Sequence, residues 1–354
     1  MGERSVTSKV AVLEFDEDYS EPLKQALDLI GGIEDINNKE RNVCIKVGIF
    51  QPRWPHHSSV GLVKSLVDSF SRAPKIFLTE SDNYVGEALK RLQVYKSVFT
   101  DRVVPFSLSD KKAVKRLRIA NEEMNLSEVM FKPNVFVDTH VLRSFQRGSI
   151  LKNLFGCTPM VEKAKYHKQG VFGRLLADIY EAVGGIDLAV ADGTDLFYSA
   201  SQIKVRANTI IAGRDAVAVE TVVDTLAGLK IERMELMQEF VRRGLGEGNM
   251  ENIEIVGMVR GEVEEKFKSL RKELRVKYNS RPRPPSIART IDKLMEEGWM
   301  SKPRTVVEVL DELKRRGVGN ATGPLVSTAL KRRMNKTLDR MQKGGELVYQ
   351  SRKK

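Results

Sequence analysis

"NVFVDTHV", residues 134–141, sets one aspartate and one histidine into a run of β-branched and aromatic side chains. It is short, apolar throughout and poor in helix formers, the pattern of a strand covered on both faces. Similar runs occur at "KVAVLEF" (9–15), "VCIKVGIF" (43–50), "KIFLTE" (75–80), "DLAVAD" (187–192) and "NTIIAG" (208–213). Helical patterns alternate with them. Ser58 or Ser59 caps "VGLVKSLVDSF", Asn83 precedes "VGEALKRLQVY", and Asp215 opens "AVAVETVVDTLAGL", which stops at a glycine. Residues 1–257 therefore read as one α/β domain, a mostly parallel or mixed sheet with covering helices.

Charge divides the chain differently. Residues 258–354 hold 25 Lys and Arg against 12 Asp and Glu, whereas residues 1–40 hold 4 against 10. The net +12 of the 354-residue chain thus comes from its last quarter, and a near-neutral body with a basic end reads as two functions on one chain. "EVEEKFKSLRKELRVKY" is a charged helix, and "NSRPRPPS" behind it is a proline-rich, arginine-rich linker, so 258–285 is the expected boundary. From Ser286 to the end, three helical segments lead into "KTLDRMQKGGELVYQ", a hairpin signal around Lys-Gly-Gly. Three helices and a hairpin make 286–354 a small winged-helix domain in this reading, with Thr305 starting the second helix and Gly317 and Gly319 allowing the turn before the third.

On the third helix, Val326, Ala329 and Leu330 share one face, and Ser327, Thr328, Lys331 and Arg332 project from the other. That outward set, with Lys336, Arg340 and Lys343 on the wing, suits phosphates and base edges. DNA is the expected partner and RNA the alternative. Solvated charges on a protein-docking module are the competing reading.

Other classes are limited by composition. No run reaches the roughly 18 uncharged apolar residues of a membrane span, and the start, with Glu14, Asp16, Glu17 and Asp18, is unlike a signal peptide. A cytoplasmic protein without a membrane partner is expected. Cys44 and Cys157, the two cysteines, cannot by themselves build a zinc or iron–sulfur site, which leaves oxygen or histidine ligands for any metal.

The stretch "FKPNVFVDTHVLRSFQRGSILKNLFGCTP" (131–159), together with segments C-terminal to it, resembles the family catalogued as domain of unknown function 362. The ordered series is Lys152-Asn153 and Gly156, then His167, Asp192-Gly193, "RDAVAVE" (214–220) and "GLGEG" (244–248), with "FLTESDNYVGEA" (77–88) ahead of it. The likeness covers about 40–257. Two features depart from it: Arg143-Ser144-Phe145 stands where many members have Lys-Thr-His, and Glu220 where aspartate is usual. Many members also carry a cysteine-rich ferredoxin-like module. This chain has a different C-terminal end, so no iron–sulfur cluster is implied.

Candidate ligand-binding residues are Lys152, Asn153, Gly156, His167 and Asp192, where an ammonium, a carboxamide and loop amides can converge on a small anion. Glu80, Asp82 and Asp192 are candidate oxygen ligands for a divalent cation, with Asp195, Asp138 and His140 behind them. Strand-end aspartates also serve as turn and helix caps, and a lone histidine among lysines also sits in water. His56-His57 reads as a loop pair or an anion contact at a helix start. Cys157 reads as a small buried residue, and "GLGEG" as a helix end. Three functions compete: a nucleic-acid-associated regulator with a ligand-binding α/β domain, a metal-dependent enzyme with an accessory docking module, and an RNA- or protein-anchoring factor.

Overall fold

The structure is a computed structural model that describes residues 8–352 except 55, 113, 145–147, 160–163, 199–202, 281–284 and 320. Two compact units divide the chain, Met1–Asn279 and Ser280–Lys354.

The strands of the first unit are β1 (Ser8–Glu14), β2 (Val43–Val47), β3 (Ile76–Glu80), β4 (Val103–Ser107), β5 (Val114–Ile119), β6 (Glu122–Ser127), β7 (Val135–Arg143), β8 (Leu188–Phe197), β9 (Lys204–Gly213) and β10 (Ile253–Gly257). Eight of them form one sheet in the order β10-β1-β9-β8-β7-β2-β3-β4, and β5 and β6 pair as a separate hairpin. Only β9 runs against the others. The sheet is mixed for that reason.

Strands that sequence patterning passes over have an identifiable chemistry. β4 contains Pro105, tolerated because the strand lies at the sheet edge. β5 and β6 carry Lys115, Arg116, Arg118, Glu122 and Glu123, which mask their alternation.

Chain direction sets up a crevice. From β2 the chain steps outward to β3 and β4, and from its neighbour β7 it steps the other way to β8. The carboxyl ends of β2 and β7 are therefore the switch point of the sheet, where open α/β sheets bind ligands.

Helices cover both faces. α1 (Ser20–Leu29) and α2 (Val60–Ser69) pack Leu23, Leu27, Leu62 and Leu66 against Ile45, Val137 and Val190. Two short helices, α3 (Ala88–Leu92) and α4 (Ile150–Asn153), follow β3 and β7. On the opposite face lie α5 (Phe172–Val183), α6 (Ala216–Leu226), α7 (Glu235–Arg242) and α8 (Arg260–Asn279). Leu176, Val219, Phe240 and Phe267 meet Phe136 and Ala189 there. The charged helix α8 belongs to this first unit through one apolar stripe, Val263, Phe267 and Leu274. The proline-arginine linker expected behind it falls largely on 281–284, outside the described residues.

Capping follows the sequence at two helices of three. The Ser59 hydroxyl accepts from Leu62 N at 3.4 Å. Asp215 does more: Oδ1 accepts from Val217 N and Ala218 N, and Oδ2 accepts from Ser8 Oγ at 2.7 Å and Glu247 N at 2.9 Å. A Cβ on Gly246 would lie 2.3 Å from Asp215 Oδ1, which explains a glycine within "GLGEG". Asn83 corrects the third expectation. Its side chain closes a local turn onto Val85 N and Gly86 N, and the helix begins five residues later, at Ala88, whose N–H donates to Asp82 Oδ1.

The second unit has three helices, α9 (Ile287–Glu296), α10 (Val306–Arg315) and α11 (Gly323–Lys331), and strands β11 (Arg304–Thr305), β12 (Leu338–Lys343) and β13 (Glu346–Ser351). The strands are antiparallel in the order β11-β13-β12. Ile291, Leu294, Val309, Leu313, Val326, Leu330, Leu338 and Tyr349 form its core. Thr305 and Glu308 make a reciprocal capping box at α10. Gly344 and Gly345, both at positive φ, turn β12 into β13.

Asp215→Ala removes two cap bonds and two long-range ones around a buried helix. The expected loss is about 2–3 kcal/mol, read as a lower urea midpoint with an unchanged m value.

Candidate functional site

β2 carries a lysine into its centre. The Lys46 side chain has no exposed surface, and its ammonium donates to Glu80 Oε2 at 2.9 Å, Asn153 Oδ1 at 3.0 Å and Val47 O at 3.2 Å. All three of its hydrogens are spent. Glu80, at the end of β3, also accepts from Ile49 N and Ser81 N, both at 2.9 Å. An ion pair this deep is retained only because each remaining lone pair and proton finds a partner.

Asn153 ties the pair to β7. Its amide nitrogen donates to Asp138 Oδ1 at 3.0 Å and lies 3.3 Å from both Lys46 O and Thr139 O. Asp138 Oδ2 is buried with no partner among the described residues. Burial pushes the Asp138 carboxyl up to about 8, against the opposing pull of Lys46 and the Asn153 hydrogen bond, so it is protonated at neutral pH.

Gly156 closes the lid of this network. A Cβ there would sit 2.6 Å from Lys46 Nζ and 2.9 Å from Glu80 Oε1. The loop that carries Lys152-Asn153 is held down from the other side by α6. Both carboxylate oxygens of Glu220 accept from the start of α4, from Ser149 N and from Leu151 N. Glu220 thus caps that short helix. Asp224, one turn on, has its carboxyl raised well above the usual range by burial and by Glu220 beside it.

Beyond the network, toward the carboxyl end of β7, lie His140 and Arg143. Val141 N donates to His140 Nδ1 at 2.7 Å, which places the neutral ring's proton on Nε2. Burial, then the charges of Arg143, Lys152 and Lys46, hold the imidazole well below its ordinary pKa. Arg143 Nη2 is sealed from solvent and unpartnered among the described residues.

The other expected residues occupy separate places. Asp192 lies inside β8 at an irregularity in the β8–β9 register, not at the strand's end. Its Oδ2 accepts from Ser59 N at 2.6 Å and its Oδ1 from Thr194 N and Oγ1. Gly193 is fixed by the sheet, since a Cβ would meet Thr209 O at 2.3 Å. Asp195 accepts from Trp54 Nε1 and Lys204 Nζ. Glu80 is committed to Lys46, and Asp82 to Ala88 N. Glu80, Asp82 and Asp192 do not assemble as one set: among the described residues no group of three His, Cys, Asp or Glu is placed to hold a metal. His167 stacks on Phe172 at 5.2 Å, with Phe155 at 4.7 Å, and Lys152 is half-buried on α4. His57 Nδ1 lies 2.7 Å from Ser58 O, with its ring edge-on to Trp54 and Tyr95. Cys157 is fully buried, which raises its thiol pKa, and Cys44 is pushed up to about 12 for the same reason.

Lys46 is the network residue that sequence reasoning passed over, and Arg143 stood out there only as a departure from the family pattern. The available signal was a lysine within the apolar run "VCIKV", where the charge has no solvent-facing side to occupy.

An eight-stranded mixed sheet with a buried polar network at its switch point defines an α/β protein. The profile of the family described as "Domain of unknown function (DUF362)" matches residues 43–224, just over half of the chain, and the chain belongs to that family. The match begins with β2 and ends at Asp224, so Lys46, Glu80, Asp138, Asn153, Gly156 and Glu220 all fall within it. No curated protein and no solved structure matches the chain.

Gly156→Ala overpacks the Lys46–Glu80 pair and is expected to destabilise by about 1–3 kcal/mol, measured by urea unfolding. Asp138 supplies a pH test. Its folded pKa of about 8 exceeds the unfolded value near 3.9, so the folded state binds the extra proton between those values. That contribution is complete below the unfolded pKa and is lost as pH rises through about 8. Asp138→Asn should flatten the fall in unfolding free energy across this window by up to about 1.4 kcal/mol per pH unit.

Proposed function

We propose that this is a cytoplasmic nucleic-acid-associated protein, in which a winged-helix C-terminal unit contacts DNA and the α/β unit binds a small anionic ligand at its switch point. The chain is then a ligand-responsive regulator. The observation that carries the DNA half is how the second unit sorts its cations. Arg304, Arg315, Arg316, Arg333 and Arg352 are each paired with a carboxylate of the same unit. Lys331, Arg332, Lys336, Arg340 and Lys343 are exposed or half-exposed, and none makes an ion pair among the described residues.

Five arginines are neutralised at home, and five of the cations unpaired among the described residues cluster on α11, the turn after it and β12, the others being Arg289, Lys302 and Lys314. A polyanion supplies what they lack, with counterion release as the driving force. Val326 and Leu330 anchor α11 in the core, so the opposite face with Ser327, Thr328, Lys331 and Arg332 points outward. The Thr328 hydroxyl donates to Pro324 O at 2.9 Å and is left to accept from a donor on a base edge.

Fluorescence anisotropy of the full chain with a labelled duplex across salt concentrations tests this. Replacing Lys331 and Arg332 by Ala should weaken binding and flatten the log–log salt slope by about 0.9 for each phosphate that is no longer neutralised. An unchanged affinity and slope would refute the DNA interface. Tighter binding of single-stranded RNA than of duplex at matched salt would transfer the reading to RNA.

A further inference from the structure

One buried cation at the switch point lacks a hydrogen-bond partner, among the described residues, for part of its guanidinium. Lys46 and Glu80 cancel each other as a pair. Asp138 is protonated near neutrality and contributes no charge. Arg91, the nearby buried arginine, donates its guanidinium to Ile49 O, Ser81 O and Gly86 O. Arg143 has no such partners among the described residues. It makes no ion pair there, and its Nη2 is shut away from water with nothing to bond. A guanidinium keeps its charge at any physiological pH, so it cannot escape this cost by deprotonation.

Two neighbours show which way the site faces. His140 and His56 both lie close enough to Arg143 for its charge to disfavour their protonation. His140 carries its neutral-ring proton on Nε2, because Nδ1 is already accepting from Val141 N. A Cβ at Gly48 would lie 2.6 Å from His140 Cδ2 and 3.0 Å from that Nε2, so only a glycine fits against the ring there. Arg143 is half-buried as a residue, with its Nη2 on the sealed side.

We infer that Arg143 is the anchor of an oxyanion site at the carboxyl ends of β2 and β7, with His140 Nε2–H as a second donor, for the carboxylate or phosphate group of a small metabolite. This deepens the ligand half of the proposed function and rests on it. A planar two-oxygen acceptor satisfies the guanidinium fork with two parallel hydrogen bonds. Asn153, spent on Asp138 and Lys46, positions the network behind the site and does not touch the ligand.

The test is thermal unfolding of the full chain titrated with inorganic phosphate or with succinate, at ionic strength matched by chloride. One of the two should raise the wild-type Tm in a saturable way, and which one does so separates phosphate from carboxylate. Arg143→Gln should weaken that response about tenfold or more, and Arg143→Lys should recover only part of it. Equal responses of wild type and Arg143→Gln, or no wild-type response to either anion, would overturn the site. If Arg143→Gln does not fold, phenylglyoxal labelling of the wild type followed by peptide mass spectrometry decides: protection of Arg143 by the active anion but not by chloride supports the site, and equal labelling rejects it. Duplex binding without added anion is measured separately, so a failure of the DNA reading stays distinct from a failure here.

Discussion

Lys46 brings a full positive charge into the middle of a sheet that has apolar layers on both sides. A lone ammonium there would be intolerable, so the surrounding chain is arranged around its three hydrogens. Glu80 must end β3 beside it, Asn153 must reach it from α4, and Gly156 must lack a side chain. The Asn153 contact alone reaches across 107 residues of sequence. α4 and the tight turn after it, which carry Asn153 and Gly156, are held over the lysine by Glu220.

Satisfaction of this network throws its exceptions into relief. Where every donor and acceptor is matched, the group is architectural. Around it, among the described residues, capacity is left over at Arg143 Nη2, at Asp138 Oδ2, at Ser149 Oγ and at both carboxyl oxygens of Asp224. Asp138 lowers its cost by taking a proton, whereas Arg143 has no equivalent route. The second unit repeats the contrast on its surface, with paired arginines next to bare lysines.

Much of the fold was legible because buried strands and caps leave local marks. "NVFVDTHV", "VCIKV" and the Asp215 cap each appear where their composition puts them. The edge strand with Pro105 and the charged β5–β6 hairpin were not, since their stability comes from pairing and packing that no composition window reveals. The site was legible only in part for the same reason. Lys152-Asn153 and Gly156 stood out as a pattern, but that Asn153 is committed to Lys46 depends on a contact across 107 positions. Asp192 and Asp82 looked like ligands and serve as hydrogen-bond acceptors for backbone amides. A carboxylate at a strand end is the same residue type in either role.

β1 and β10 lie outside the family match, one before it and one after, yet they pair with each other, Ser8 opposite Ile253, and β1 seals the flank of β9. The two ends of the first unit are thereby stitched into one border of the sheet. Excising 43–224 would bare a flank of β9 and leave its backbone amides and carbonyls open to a second molecule. What sequence comparison delimits as a domain is, as a folding body, a sheet with a raw selvedge that both flanking segments are needed to hem.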